Sequence, residues 1–142
     1  MSDRCFLDTN VLVYAHDNSA GWKHERAATL TEQLWDQANG VISTQVLQEF
    51  CYTVRRKLKR PLSLEHTFAV VQQYLAWNVV VNLPISALEA IQIEARHKVS
   101  FWDALILHAA ERGNATILYS EDFSHGQVYG KIRAINPFLD RL

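Results

Sequence analysis

Four acidic residues lie far apart in this sequence, and each stands where an apolar segment meets the end of a predicted helix or strand. They are Asp8, Glu49, Asp103 and Asp122. A carboxylate that is taken out of water either costs several kcal/mol or has its pKa shifted, so acids set in apolar segments need a partner of opposite charge. Carboxylate oxygens bind hard divalent cations, and a set without His or Cys suits Mg²⁺ or Mn²⁺ better than structural zinc. If the fold gathers these side chains, we expect them to hold one or two such ions.

The strands that must position these acids are predicted from hydrophobic patterning. Short apolar or β-branched runs bounded by polar or turn residues indicate buried strands. Pro84 is expected to close the clearest of them, because proline cannot donate the next hydrogen bond of a sheet. The predicted strands span residues 4–8, 41–43, 78–83 and 116–120, with a last short one at 132–135.

The segments between the strands have apolar residues at helical spacing and the residues that begin and end helices. Thr9 and Asn10 can cap the first helix. Gly40, Pro61 and Gly113 are predicted to stop three of the others. One predicted helix follows Asn10, and two more span 22–39 and 44–59. A fourth follows Ser63 and has Phe68, Val71 and Leu75 on one face. The last two run from a capping box at 86–89 to about residue 98 and from 100 to 112.

Strands that alternate with helices predict an α/β fold. A mostly parallel central sheet of four to five strands should be covered by helices on both faces. The length of 142 residues, without a repeat or a linker, favours a single domain that spans residues 1–142. Ligand sites in such folds lie outside the carboxyl ends of the strands.

The connectivity of this fold should bring the acids to that edge. Asp8 ends the first strand, and Asp122 follows the 116–120 strand by two residues. Asp103 begins the helix before that strand, and because a crossover helix runs antiparallel to the strands, its first turn also lies at the carboxyl edge. Glu49 lies in the second turn of its helix, roughly 5 to 9 Å from the helix start. The four carboxylates are therefore expected to meet, and the position of Glu49 is the least constrained.

Each acid also has a purely structural interpretation. Asp8 and Asp103 can cap helices, Glu49 can be a solvated helix residue, and Asp122 can belong to a polar loop. A haloacid dehalogenase type of phosphatase also has an Asp at the end of the first strand. Its second Asp would fall at Asn10 here, so that type of site would lack its general acid. A response-regulator receiver would need a second early acid beside Asp8 and a suitably placed Lys after the last long strand, and neither is found.

Composition limits the classes of partner. Lys plus Arg number 14 and Asp plus Glu number 15, so affinity for a nucleic acid must come from a local basic patch and not from net charge. No apolar run approaches the roughly 20 residues that span a bilayer, and the first residues lack the pattern of a signal peptide, so we expect a cytoplasmic protein without membrane contact. The candidate basic patches are Arg55, Arg56, Lys57, Lys59 and Arg60 after Glu49, and Arg96, His97 and Lys98 before Asp103.

Four blocks of sequence carry a resemblance to a known family. They are FLDTNVL at 6–12, QVLQEF at 45–50, SFWDA at 100–104 and LYSED at 118–122. In this order and at these intervals they resemble the PIN domain, and in particular the VapC-type toxins of bacterial toxin-antitoxin pairs. The resemblance extends over nearly the whole chain. Four blocks in order are far more specific than the Leu-Asp-Thr-Asn start alone.

The resemblance implies a PIN-like domain that acts as a metal-dependent endoribonuclease toxin. The acids at the four positions named above would hold one or two Mg²⁺ or Mn²⁺ ions and carry the hydrolysis of RNA. Ser120 matches a supporting hydroxyl that is Thr in many members. The fourth acid of the family often follows this hydroxyl by two residues, which selects Asp122, but Glu121 can share its task or support it. Thr9 and Asn10 would orient the ligands, although both can equally be helix-capping residues.

The resemblance also implies partners. These are a homodimer partner, an RNA substrate and a cognate antitoxin whose C-terminal segment occupies the groove near the site. Of the basic residues, Arg55, Arg56, Lys59 and Arg60 could grip the phosphate backbone, or could simply complement the negative end of their helix. The alternative function is a catalytically silent PIN-like module that binds RNA or a protein. All four acids argue against it, because a scaffold gains nothing from a repulsive carboxylate cluster.

Overall fold

A computed structural model describes residues 3–139, and residues 1–2 and 140–142 of the predicted 1–142 domain lie outside this range. The described residues form six strands and six α-helices, with a short 3₁₀ helix at Asn18–Ala20. The strands are β1 Cys5–Leu7, β2 Gly40–Ser43, β3 Asn78–Val80, β4 Ile117–Tyr119, β5 Val128–Tyr129 and β6 Ile132–Ile135. The helices are α1 Thr9–Ala15, α2 Trp22–Gln37, α3 Thr44–Arg56, α4 Leu64–Tyr74, α5 Pro84–His97 and α6 Phe101–Arg112.

The predicted α/β class with a mostly parallel central sheet is confirmed. The strands lie in the order β3-β2-β1-β4-β6-β5, and every neighbouring pair is parallel except β5 and β6. The chain moves outward from β1 to β3 on one side of β1 and then continues through β4 on the other side. Because crossovers between parallel strands are right-handed, this reversal places α1 to α4 on one face and α5 with α6 on the opposite face.

The predicted number of four to five strands is wrong, since the sheet has six. The missed strand is β5, which has two residues and pairs only with β6, antiparallel. A strand of two residues is too short to show a hydrophobic period, so the sequence pattern does not predict it.

Several helix boundaries follow their predicted residues. The side-chain hydroxyls of Ser63 and Ser100 accept hydrogen bonds from backbone N–H groups in the first turns of α4 and α6, and Gly113 ends α6. Other boundaries differ from the prediction. Pro84 begins α5 and does not simply close a long strand, because proline at the first helical position lacks only an N–H that would be unpaired there. The helix predicted to reach residue 59 ends at Arg56.

The end of α2 shows why Gly40 was misinterpreted. The helix ends at Gln37 and is capped by Ala38, which adopts a left-handed conformation with φ of 54°, and Gly40 is the first residue of β2. A Cβ atom at Gly40 would lie 2.5 Å from the indole ring of Trp77. The glycine is therefore required by a tertiary contact, not by the helix end.

The face of α4 that packs on the core also differs from the prediction. Phe68 and Leu75 are 70% and 61% exposed, while Thr67, Val70 and Tyr74 are buried. The apolar residues of α4 form two adjacent stripes, and the stripe that carries Tyr74 packs against the aromatic cluster around it. Periodicity alone does not distinguish the two stripes.

The central strands β1 and β4 lie in the core that positions the acids. Phe6, Leu7 and Leu118 have no exposed surface, as expected for parallel strands covered on both faces. Within residues 3–139, none of the helices combines the length and the apolar character needed to cross a membrane.

Candidate active site

Asp8 is the buried centre of the site. It directly follows β1 and caps α1, and only 5% of its surface is exposed. One carboxylate oxygen, Oδ1, accepts a hydrogen bond from the backbone N–H of Thr9 at 2.7 Å. The other, Oδ2, accepts one from the hydroxyl of Ser120 at 2.8 Å. The sequence left open whether Asp8 caps a helix or belongs to the acid site, and in the structure it does both.

Asp103 and Asp122 join Asp8 at the carboxyl edge of the sheet. Asp103 lies in the first turn of α6, where its N–H donates to Ser100 Oγ. Asp122 is exposed and follows β4. Asp8, Asp103 and Asp122 each offer one carboxylate oxygen, and these three oxygens lie within 4.8 Å of one another. The three acids that connectivity predicted to converge do converge.

The three carboxylates repel one another and are partly removed from water. Burial raises the pKa of Asp8 to about 7. The hydrogen bonds from Ser120 and Thr9 oppose this rise, and the charges of Asp122 and Asp103 add to it. Burial also raises the pKa of Asp103, with a further contribution from the charge of Asp122. Within residues 3–139, no Lys or Arg forms an ion pair with these acids.

The donor set fits a hard divalent cation. It consists of carboxylate oxygens alone, which Mg²⁺ and Mn²⁺ prefer. A cation among them would offset the repulsion that raises these pKa values. The chain supplies no such charge from its own described side chains.

Glu49 does not belong to the group of three oxygens. It is exposed in α3, and its Oε1 atom accepts a hydrogen bond from the hydroxyl of Thr9 at 2.6 Å. Its charge is nevertheless close enough to raise the pKa of Asp103, and both residues line the same groove. Glu49 therefore lines the groove beside the three acids, and of the four carboxylates expected to meet, only those of Asp8, Asp103 and Asp122 form one group among the described residues.

Ser120 and Asn10 connect the acids. The fully buried Ser120 hydroxyl donates to Asp8 and accepts from the backbone N–H of Asp122 at 3.0 Å. The Asn10 side-chain amide donates to Oδ2 of Asp122 at 3.0 Å, and its Nδ2 also lies 3.4 Å from Ser120 Oγ. These contacts fix two carboxylates relative to one another.

Glu121 is not part of the group of three acids. Its carboxylate accepts hydrogen bonds from the Tyr14 hydroxyl at 2.8 Å and from Lys23 Nζ at 3.0 Å. Asp122, by contrast, contributes an oxygen to the group of three. The geometry thus separates the two neighbours between which the sequence left a choice.

A groove of about 800 Å³ opens beside the acids, between α1, α3 and the start of α6. Arg55, Arg56, Lys59 and Arg60 do not line it, but the Arg56 guanidinium lies 4.7 Å from the ring centre of Tyr52, which does. Sequence reasoning missed the polar and aromatic residues of the groove. Trp102, next to Asp103, is 63% exposed. The missed residues include Tyr14, Gln45, Gln48, Tyr52 and Trp102.

Residues 5–131 match the family model described as PIN domain. No curated protein matches the chain.

The solved structures with similar folds include three bacterial toxin proteins or complexes. A toxin-antitoxin complex from Klebsiella pneumoniae has 14% identity and a TM-score of 0.70, with 94% of this chain and 98% of that chain covered. VapC20 from Mycobacterium tuberculosis, described as a Sarcin-Ricin loop cleaving toxin, has 17% identity and a TM-score of 0.61, covering 80% and 86%. DNA-bound VapBC from Salmonella typhimurium has 22% identity and a TM-score of 0.59, covering 94% and 97%. At these identities the similarity establishes the fold.

Proposed function

Since the chain belongs to the PIN domain family, we propose that it is a divalent-metal-dependent endoribonuclease, of the VapC type, and the toxin of a toxin-antitoxin pair. The observation that carries this proposal is the group of three carboxylates, from Asp8, Asp103 and Asp122, with oxygens within 4.8 Å. They have no cationic partner in the described chain and border an open groove. In this proposal residues 1–142 act as one catalytic domain.

The catalytic residues are Asp8, Asp103, Asp122 and Glu49. The three aspartates hold the ion directly, and Glu49 acts from α3, through water or on a second ion. When bound, Mg²⁺ or Mn²⁺ supplies the charge that lowers the pKa of an attacking water and neutralises the phosphate oxygens. The number of ions, one or two, is part of what the experiment must determine.

The surrounding hydrogen bonds keep these carboxylates in place. Ser120 holds the Asp8 side chain and the backbone of Asp122, Asn10 holds the Asp122 side chain, and Thr9 holds Glu49. Such supporting contacts orient ligands and tune their basicity. Because Glu121 is occupied by Tyr14 and Lys23, we assign it to supporting the fold of the loop and not to the ion.

The substrate class that fits the groove is single-stranded RNA. The exposed side chains of Tyr52 and Trp102 line the groove, and aromatic side chains stack on unpaired bases. The basic residues Arg55, Arg56, Lys59 and Arg60 would bind the backbone where the strand leaves the groove. Action on RNA is consistent with the expected cytoplasmic location.

Two apolar surfaces support the proposed partners. Leu64, Phe68 and Leu75 form an exposed stripe on α4, and Ile85, Leu88 and Ile91 form another on α5. Exposed apolar patches of this kind mark protein interfaces. We propose that a homodimer and a cognate antitoxin cover these surfaces, and that a segment of the antitoxin occupies the groove. Similar folds occur in solved toxin-antitoxin complexes.

The test is cleavage of a labelled total-RNA pool by the purified protein in Mg²⁺ or Mn²⁺ and in EDTA. Asp103→Asn should reduce cleavage more than about 100-fold, because loss of a ligand should exceed the 10- to 100-fold cost of losing a supporting contact. Asp36→Asn is the matched control, since Asp36 is exposed on α2, away from the groove.

Metal-dependent cutting that disappears only in Asp103→Asn would support the nuclease. If wild type and Asp103→Asn cut equally well, the carboxylate site is not the catalyst. If neither cuts RNA while the protein still binds RNA or a partner, the silent PIN-like module becomes the better description.

A further inference from the structure

The proposed function does not use a second hollow, of about 290 Å³, that also borders the acids. Asp103 and Asp122 line both this hollow and the groove, and they are the shared residues of the two cavities. The acid cluster, formed by Asp8, Asp103 and Asp122, therefore lies between the groove and the hollow. The other walls of the hollow include His97, Lys98, Phe123, Ser124, Gln127 and Tyr129.

One wall of the hollow is formed by β5, the strand that the sequence did not predict. Tyr129 belongs to β5, and its ring lies 5.6 Å from that of Phe123 and 5.4 Å from that of His97, in edge-to-face contacts. These contacts tie the loop after β4 to the end of α5. They give the hollow an aromatic wall, with the polar side chains of Ser124 and Gln127 beside it.

The two depressions differ in charge. Among residues 3–139, the lining of the groove contains Asp17 and Glu49 besides the aspartates of the cluster, and it contains no Lys or Arg. Of the residues that the structure describes, those lining the hollow add no further acid to Asp103 and Asp122, and they include Lys98. The hollow is therefore the less negative of the two depressions, and an anionic group beside Lys98 meets less repulsion there than in the groove.

Lys98 is available to bind such a group. It ends α5 in a left-handed conformation with φ of 55°, which turns the chain at the rim of the hollow. Its side chain is exposed and forms no ion pair within residues 3–139. An RNA strand carries one negative charge on each phosphodiester linkage, and Lys binds phosphate as a point charge.

We propose that the hollow binds the phosphate next to the scissile phosphate of an RNA strand, and that Lys98 is the residue that holds it. This inference rests on the proposed function. An endonuclease cuts inside a strand, so the strand must leave the acid cluster in two directions. One arm presents its bases to Tyr52 and Trp102 in the groove, and the other places its phosphate against Lys98.

The experiment compares cleavage of a short single-stranded RNA by wild type, Lys98→Gln, Lys98→Arg and Lys131→Gln in Mg²⁺. Lys131 is the matched control, because it is exposed in the turn between β5 and β6 and lines neither cavity. Lys98→Gln should lower kcat/KM about 5- to 10-fold, mainly through KM, and reduce the salt slope by about 0.7. Lys98→Arg should restore most of the activity, and Lys131→Gln should match wild type.

A second arm identifies the phosphate. Methylphosphonate linkages, which carry no charge, are placed one at a time on either side of the mapped cleavage site. Neutralising the phosphate that Lys98 holds should weaken cleavage by wild type but have little effect on Lys98→Gln, because the contact is already absent.

The outcomes separate the two proposals. If wild type does not cut RNA, the proposed function fails and this inference fails with it. If wild type cuts RNA but Lys98→Gln behaves like Lys131→Gln, or if no linkage couples to Lys98, the nuclease stands and the phosphate subsite is wrong.

Discussion

The acid cluster and a second polar cluster, formed by Ser86, His108 and Glu89, are built in opposite ways. The Ser86 hydroxyl lies 3.1 Å from Nε2 of the buried His108, and Nδ1 of His108 lies 3.2 Å from Glu89. The Leu83 N–H donates to the same hydroxyl at 3.0 Å. These contacts form one chain of donors and acceptors, in which Ser86 donates to Nε2 and Nδ1 donates to Glu89.

Chemical identity alone would mark the second cluster as a hydrolase triad. Its serine, however, is only 1% exposed and lines neither the groove nor the hollow, so no substrate reaches it. Burial lowers the pKa of His108 and favours the neutral ring. The acid cluster has the opposite properties, since its carboxylates repel one another and are open to the groove. A catalytic site is recognised because substrate can reach it and its charges lack partners, whereas a structural cluster has all its hydrogen bonds made.

Asp8→Asn should have the largest effect and should separate catalysis from stability. Cleavage should fall more than about 100-fold, because a buried ligand is lost. In EDTA the free energy of unfolding of the variant should exceed that of wild type by an amount that grows with pH. Asp8 has a pKa of about 7 in the folded protein and 3.8 as its ordinary value. Between these values the folded state binds more protons, so the contribution of wild-type Asp8 to stability falls as pH rises.

Urea unfolding at pH 4.5 and 7.5, with and without Mg²⁺, checks this expectation. Mg²⁺ should stabilise wild type more than Asp8→Asn, since binding to the folded state shifts the equilibrium toward it. Asp36→Asn serves again as the control for the loss of one exposed carboxylate. A difference between wild type and Asp8→Asn that stayed constant with pH would contradict the assigned pKa.

Ser120→Ala should have the next largest effect. The variant removes the hydroxyl that donates to Asp8 and accepts from Asp122, and loss of a contact that orients a ligand typically costs about 10- to 100-fold. Ser120→Thr should retain activity if the buried site accepts the extra methyl group. Rates at a series of Mg²⁺ concentrations would show whether the loss lies in metal affinity. Full activity in Ser120→Ala would mean that the acids are held without this hydroxyl.

Ser86→Ala should have no effect on cleavage and only a moderate effect on stability. It leaves the Leu83 N–H and the His108 ring without a buried partner, which costs about 1 to 3 kcal/mol in the free energy of unfolding. Thermal unfolding and cleavage assays on the same preparation check both parts. Loss of activity in a stably folded Ser86→Ala protein would break the distinction between the two clusters.

The stability contributed by the Ser86, His108 and Glu89 cluster also depends on pH. Because the folded pKa of His108 is lowered, its contribution to stability is present above its ordinary value of 6.5 and is lost as pH falls below it. Asp8 acts in the opposite direction. The matched variants above are needed because these two dependences overlap in the wild-type profile.

Much of the fold was predictable where the cause is local. Ser63 and Ser100 begin helices because a hydroxyl pairs with an N–H two or three residues later, and that rule needs no partner from elsewhere in the chain. The features that failed depend on distant contacts. Gly40 is required by the Trp77 ring, and the buried face of α4 was decided by the aromatic cluster around Tyr74.

The candidate site also has features that the sequence predicts and features that depend on distant contacts. Connectivity alone predicted that Asp8, Asp103 and Asp122 converge, because strand ends and helix starts share one edge of a parallel sheet. The separation of Asp122 from Glu121 needed the positions of Tyr14 and Lys23.

The sequence by itself determined the α/β class, the order of its main elements and the edge at which the acids collect, since these follow from periodicity, capping residues and chain direction. Only the tertiary structure decided which surfaces are open. Trp102 is exposed beside Asp103, and the Ser86 chain is closed. One wall of the hollow at Lys98 is formed where a two-residue strand places Tyr129 against His97. Exposure and cavity shape depend on contacts between residues far apart in the chain, and no local pattern encodes them.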